Sequence, residues 1–151
     1  MSLYSVLKFF HVLLAIVAVG FNASYGIWLA RVAKEPEHTT HVLRGIKVLD
    51  DRFANPAYAL LLVLGIAMVL EAGIPWSTFW IAASLVIYVV LVLLAVLGYT
   101  PTLRRQVELA EAGRVDSAEY RELAKRGGIL GGVLGVLVVV IVFFMVTKPT
   151  L

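Results

Sequence analysis

Four long apolar runs dominate this chain and restrict what it can fold into. The runs span approximately residues 3–31, 53–72, 76–99 and 127–147. The centres of the last two runs contain no charged residue. Each run can cross the hydrocarbon core of a bilayer as a helix, since about 20 residues suffice. The pattern predicts an all-α integral membrane four-helix bundle, with residues 1–151 as a single domain.

The composition agrees with a membrane protein and excludes other classes. Hydrophobic residues make up 61% of the chain and charged residues 15%, against about half and about a quarter in soluble domains. This excludes a disordered chain and a water-soluble enzyme. The net charge is +3, and most of the Lys and Arg residues lie in two loops between the apolar runs, so we expect the lipid bilayer as partner and no nucleic acid. Cysteine is absent, which removes disulfides and thiol chemistry.

The basic residues predict the orientation of the chain. They concentrate in the segments 32–52 and 100–126, whereas the turn 71–77 contains neither Lys nor Arg. The positive-inside rule therefore places both long loops in the cytoplasm and both termini outside, in a cell inner or plasma membrane. We expect the first run to be retained, because its apolar stretch continues past any signal-peptide cleavage point.

Both loops are predicted to contain helix. The segment 102–112 favours a helix that ends at Gly113, and Asp116 with Glu119 resembles a capping box at the start of a helix over 117–126. Neither loop alone is long enough to bury a core, so no separate domain is expected.

Polar residues of the first run share one helical face because their spacing alternates between three and four. The face consists of Lys8, His11, Ala15, Ala18, Asn22 and Tyr25. Unpaired polar groups are costly in hydrocarbon, so this face should point into the bundle. Asn22 and Tyr25 are best explained as hydrogen-bonding partners of neighbouring helices, although they could also contact a cofactor.

His11 is the main candidate site residue. An intramembrane imidazole is a typical axial ligand of haem iron, but it could also hydrogen-bond a neighbouring helix. Lys8, one turn away, is either an interfacial anchor or a cation for a haem propionate. Trp76, Trp80 and Phe144 are expected at the same depth and could wall a haem ring.

Other polar residues carry weaker signals. The second run offers Asn55, Tyr58, Leu62 and Gly65 on one face, and the third offers Ser84, Tyr88, Ala95 and Gly98. Helix packing is the simplest explanation for both faces. In the first loop, His38 and His41 with Glu35 and Glu37 could hold a metal, although solvated loop is the more common outcome for such runs.

Glycines at the start of the last run form overlapping small-x-x-x-small pairs. These pairs are 127/131, 128/132 and 131/135. Small residues allow close approach of helix backbones. The motif predicts either packing inside the bundle or a homodimer seam through Gly128, Gly131, Gly132 and Gly135.

Three segments of the chain resemble a known superfamily of small four-helix membrane proteins. They are LKFFHVLLAIVAVGFNASYGIWLAR in the first span, DDRFANPAYALLLVLGIAMVLEAG in the second, and the closing FFMVTKPTL. The superfamily includes the haem-binding membrane protoporphyrinogen IX oxidase and the copper-resistance protein D type. The strongest similarity is to the group called domain of unknown function 2269, over nearly the whole chain.

The resemblance implies haem b as cofactor with His11 as ligand. Two departures argue against protoporphyrinogen oxidation: the third span has no Lys, and Arg31 lies about a turn beyond the Arg of the oxidase branch. The chain shows no nucleophile-elbow, Walker or Glu-x-x-His motif, so no catalytic residue is assigned. The alternative function is a non-enzymatic bundle that acts as an accessory subunit of a larger complex or associates with itself.

Overall fold

The computed structural model describes residues 2–150, and these residues are helical with short connections and no strand. The helices are α1 (Leu3–Val32), α2 (Thr39–Leu49), α3 (Asn55–Glu71), α4 (Phe79–Leu94), α5 (Thr100–Glu111) and α6 (Ala118–Thr147). A 3₁₀ turn, Pro36–His38, precedes α2. The predicted all-α fold with four helices of membrane-spanning length is confirmed.

Two of the four long helices continue through a proline. A π-helical turn, Asp50–Ala54, joins α2 to α3, and a second, Ala95–Tyr99, joins α4 to α5. Each turn is followed by an X-Pro pair, Asn55-Pro56 or Thr100-Pro101. Proline cannot donate the helical hydrogen bond and crowds the carbonyl four residues earlier, and the wider turn relieves that crowding. The helix of the second span therefore starts in the loop and continues through Pro56 to Glu71.

The helix ends follow the sequence signals, with one change. Ser117, rather than Asp116, caps α6, because its Oγ accepts a hydrogen bond from the backbone N–H of Tyr120 at 3.1 Å. Gly113 ends α5 as predicted, with φ +70°. The backbone N–H of Arg114 then donates to the Leu109 carbonyl at 2.9 Å, which satisfies a carbonyl at the helix end.

The bundle has two distinct ends. Helix α1 packs mainly against α3, and α4 packs mainly against α6. One end, here called the terminal end, contains the start of α1, the turn 72–78 and the end of α6. The other end, called the loop end, contains α2, α5 and the start of α6.

A compact apolar core lies at the loop end. It consists of Tyr25, Leu43, Ile46, Leu103, Val107 and Ala110, all buried. Ion pairs surround it, among them Arg44 with Glu111 at 2.6 Å and Arg105 with Glu119 at 2.8 Å. Each loop alone is too short for a core, as the sequence indicates, but α2 and α5 together bury one against the end of α1.

Large apolar side chains cover the outside of the middle of the bundle. Exposed examples are Phe9, Ile16, Val63, Val86, Val136 and Val139. An apolar exterior of this extent suits a protein whose solvent is lipid.

Candidate functional site

A large cavity opens between the four long helices at the terminal end. Its volume is about 680 Å³, and α1, α3, α4 and α6 all contribute to its walls. Most lining side chains are apolar, including Leu62, Ile81 and Val138. Ligand pockets are typically concave and apolar with a few polar groups, and this cavity has that character.

His11 forms part of the cavity wall, as its position on the polar face of α1 predicts. Its Nδ1 atom is buried and has no hydrogen-bond partner within the described residues. The ring packs against Gly65 of α3, where a Cβ atom would lie 3.3 Å from His11 Cε1. Glycine at this position therefore makes room for the imidazole.

Two lysines line the cavity where it opens at the terminal end. Lys8 lies one turn before His11, and Lys148 follows the last turn of α6. The Lys148 ammonium lies 5.4 Å from the centre of the Trp80 ring, a cation–π arrangement. Both lysine side chains are exposed, so the mouth of the cavity favours an anionic group.

Polar groups line the deeper part of the cavity. Ser84 is 2% exposed, and its Oγ has no hydrogen-bond partner in the described part of the chain. The Tyr88 hydroxyl donates to the Tyr58 backbone carbonyl at 2.9 Å. The Tyr58 hydroxyl in turn accepts a hydrogen bond from Asn22 Nδ2 at 2.6 Å. These groups mark the boundary between the cavity and the closed half of the bundle.

The structure divides the predicted site residues between two places. His11 and Lys8 line the cavity, whereas Asn22 and Tyr25 do not. Asn22 bonds to Tyr58, and Tyr25 belongs to the loop-end core. The part of α1 that lines the cavity ends at Val19, so Asn22 and Tyr25 lie beyond it.

The aromatic wall is present in part. Trp76 and Trp80 line the cavity. Phe144 does not, and its ring packs on Phe79 with 5.8 Å between the ring centres.

The loop histidines offer no comparable site. His38 and His41 are exposed at the loop end. Between Ser2 and Thr150 there is no group of three His, Asp or Glu side chains that could hold a metal ion. The single imidazole in the cavity wall offers one ligand, fewer than the three or four protein ligands of a typical metal-ion site.

The sequence does not predict that Lys148 lines the cavity. Nothing in the local sequence shows that Lys148, which follows α6, lies over the ring of Trp80. The sequence does identify polar or small positions on the second and third runs. Four of these positions line the same cavity because α3 and α4 lie side by side: Tyr58, Gly65, Ser84 and Tyr88.

Comparison with known proteins gives one family. The family model described as "Predicted integral membrane protein (DUF2269)" matches residues 5–149. The chain belongs to this family. No curated protein and no solved structure gives a significant match. The family description agrees with the four membrane-length helices of the structure, and the wider resemblance to the haem-binding oxidase and to copper-resistance protein D stays a prediction.

Proposed function

We propose that this integral membrane protein binds haem b, or a related redox cofactor with an apolar body and anionic groups, in the terminal-end cavity. The observation that carries the proposal is the buried, unpartnered Nδ1 of His11 in the wall of an apolar cavity. When bound, haem supplies one-electron redox chemistry.

The residues of the cavity fit such a group. His11 would hold the haem iron, and Lys8 and Lys148 would pair with the propionates at the mouth. Met68 and Met145 also line the cavity, and either thioether would be a suitable second ligand of the iron. His11 of a second copy of the chain would be an alternative second ligand. Gly65 would keep the imidazole in place, and the apolar walls would exclude water.

The test is the absorption spectrum of protein purified with haem available. We expect a Soret band that disappears in His11→Ala and that weakens or shifts in Lys8→Ala. His38→Ala and His41→Ala are matched controls and should leave the band unchanged, because both side chains are exposed at the loop end. A colourless wild-type protein that also fails to take up added haemin would reject the proposal.

A second proposal is self-association through the outward-facing glycines of α6, which would favour the accessory-subunit function. Gly128, Gly132 and Gly135 face open space, whereas a Cβ atom at Gly131 would lie 3.8 Å from the Tyr99 ring of the same chain. Gly132→Leu should convert a dimer into a monomer. Gly20→Leu, at an open position on α1, should not. A wild-type protein that is monomeric in mild detergent contradicts this seam.

We also propose that the loop end faces the cytoplasm of a cell whose inner or plasma membrane holds the protein. The support is the concentration of Lys and Arg in the two loops. A single Cys at Ser2 or Ser77 should react with an impermeant reagent outside intact cells, whereas a Cys at Ser117 should not. Labelling at position 117 from outside would reverse the orientation.

A further inference from the structure

Two buried polar atoms in the wall of the terminal-end cavity lack a hydrogen-bond partner among residues 2–150. They are Nδ1 of His11 on α1 and Oγ of Ser84 on α4. Buried polar groups without a partner are rare and call for an explanation. A neutral imidazole can carry its proton on Nδ1, and a serine hydroxyl can donate. A ligand with two hydrogen-bond acceptors would therefore satisfy both atoms.

The two atoms lie at similar depths in the cavity. The His11 ring packs on Gly65 of α3, which lies about 10 Å from Tyr58 along a helix that rises about 1.5 Å per residue. By the same rise, Ser84 lies about 6 Å from Tyr88 along α4. Both offsets run toward the terminal end, and the Tyr88 hydroxyl donates to the Tyr58 carbonyl at 2.9 Å. One ligand can therefore reach His11 from one helix and Ser84 from another.

The side of the cavity between α3 and α4 is less closed than the others. Contacts join α1 to α3, α4 to α6 and α1 to α6. Helices α3 and α4 are neighbours, yet no Cα atom of one lies within 8 Å of a Cα atom of the other. Of the described side chains, only Tyr88 hydrogen-bonds across this gap. Both helices span the membrane, so the gap connects the cavity with the hydrocarbon of the bilayer.

We propose that the cavity binds a membrane-soluble quinone. One carbonyl oxygen accepts a hydrogen bond from His11 and the other from Ser84, and the apolar tail leaves between α3 and α4 into the lipid. Quinone carbonyls only accept hydrogen bonds, which matches two donors that have no partner. The acyl chain of a phospholipid in the same place would leave both donors without an acceptor.

The quinone site uses the same cavity as the proposed haem site but does not depend on it. The cavity volume of about 680 Å³ lies within the range of about 300–1,000 Å³ that is usual for ligand pockets. Both ligands need His11, so haem and quinone would compete for the cavity.

The test measures binding of decylubiquinone, a quinone with a short alkyl tail, to the purified haem-free protein in detergent. Fluorescence of Trp76 and Trp80, which line the cavity, reports binding in a Trp28→Phe background. We expect quenching that saturates. Ser84→Ala should weaken binding by about 3- to 10-fold, the effect of losing one hydrogen bond. Ser24→Ala is the matched control, because Ser24 lies on α1 outside the cavity, and it should bind as the background does.

Decylbenzene tests the role of the carbonyl oxygens, because it carries the same tail on a ring without acceptors. At equal concentration it should not displace decylubiquinone. His11→Ala should weaken quinone binding by about 3- to 10-fold, whereas His38→Ala, at the exposed loop end, should not. The proposal is overturned if quenching does not saturate, if Ser84→Ala binds like Ser24→Ala, or if decylbenzene displaces the quinone. The first and third results need no cavity variant, so they decide the matter even where a variant does not fold.

The quinone and haem sites fail separately. Ser84→Ala removes no iron ligand, so it should leave the Soret band of haem-loaded protein in place while it weakens quinone binding. A wild-type protein that takes up haemin but not decylubiquinone overturns the quinone site alone. A protein that binds decylubiquinone but not haemin overturns the haem site alone.

Discussion

The loop end and the terminal end are built from the same long helices, but they are packed in opposite ways. At the loop end, Leu43 is fully buried, and ion pairs connect α2 with α5 and α5 with α6. At the terminal end the same bundle surrounds a cavity of about 680 Å³. The difference indicates that the loop end holds the helices together and leaves the terminal end free to bind a ligand.

The surroundings of the two ends explain this division. The loop end carries many charged side chains and projects into water, so burying apolar surface there gains hydrophobic free energy. Within the membrane, lipid is as apolar as the helices, and packing rests on van der Waals contacts and hydrogen bonds. A bundle held at its loop end can therefore tolerate a loosely packed region in the membrane.

The largest expected effect on stability comes from the loop-end core. Leu43→Ala should lower the free energy of unfolding by about 2–5 kcal/mol, because it leaves a space among buried residues. Leu62→Ala, in the half-buried wall of the cavity, should cost much less, since it enlarges a space that already exists. Unfolding in mixed micelles measures both. Equal losses for the two variants would contradict the comparison between the ends.

The next effect separates ligand binding from stability. Gly65→Val places side-chain atoms where the His11 ring packs, and the strain should cost about 1–3 kcal/mol. Displacement of the imidazole should also weaken haemin binding by about 10- to 100-fold, as for other changes that misplace a metal ligand. Haemin titration compares this variant with Gly20→Val, which fills open space on α1. If both variants bind haemin like the wild-type protein, Gly65 has no role in placing the ring.

The smallest effect concerns the hydrogen bond between Asn22 and Tyr58 at one boundary of the cavity. A double-mutant cycle of Asn22→Ala and Tyr58→Phe should show a coupling of about 0.5–1.5 kcal/mol. Asn22→Ala combined with Tyr4→Phe is the control and should be additive, because Tyr4 lies about 27 Å away along α1 at 1.5 Å per residue. Additivity in the first pair would show that the Asn22–Tyr58 contact contributes nothing to stability.

The sequence predicts the fold well, because hydropathy, helix caps and the spacing of polar residues are local properties. The four spans, the end of α5 at Gly113 and the inward position of His11 all follow from such patterns. The π-helical turn at Asp50–Ala54 is not predictable in this way. The π turn before Pro56 shifts backbone hydrogen bonds by one residue, and composition does not record that change.

The rest of the site depends on contacts between distant segments. Tyr58 lies on α3 and Tyr88 on α4, and they line one cavity only because these two helices come together. The spacing of His11, Asn22 and Tyr25 correctly placed them on one face of α1. That face is longer than the cavity, and spacing alone could not show which part of it the cavity includes.

The most direct test of the binding role of the terminal end uses the tryptophans of the cavity. Trp76 and Trp80 line the cavity, and Trp28 does not. In a Trp28→Phe background, added haemin should quench the remaining fluorescence with saturation, and the further change His11→Ala should weaken that binding by about tenfold or more. His38→Ala in the same background should bind haemin as the Trp28→Phe protein does. Emission that does not change with haemin, or that falls equally with and without His11, would contradict a haem site in the cavity.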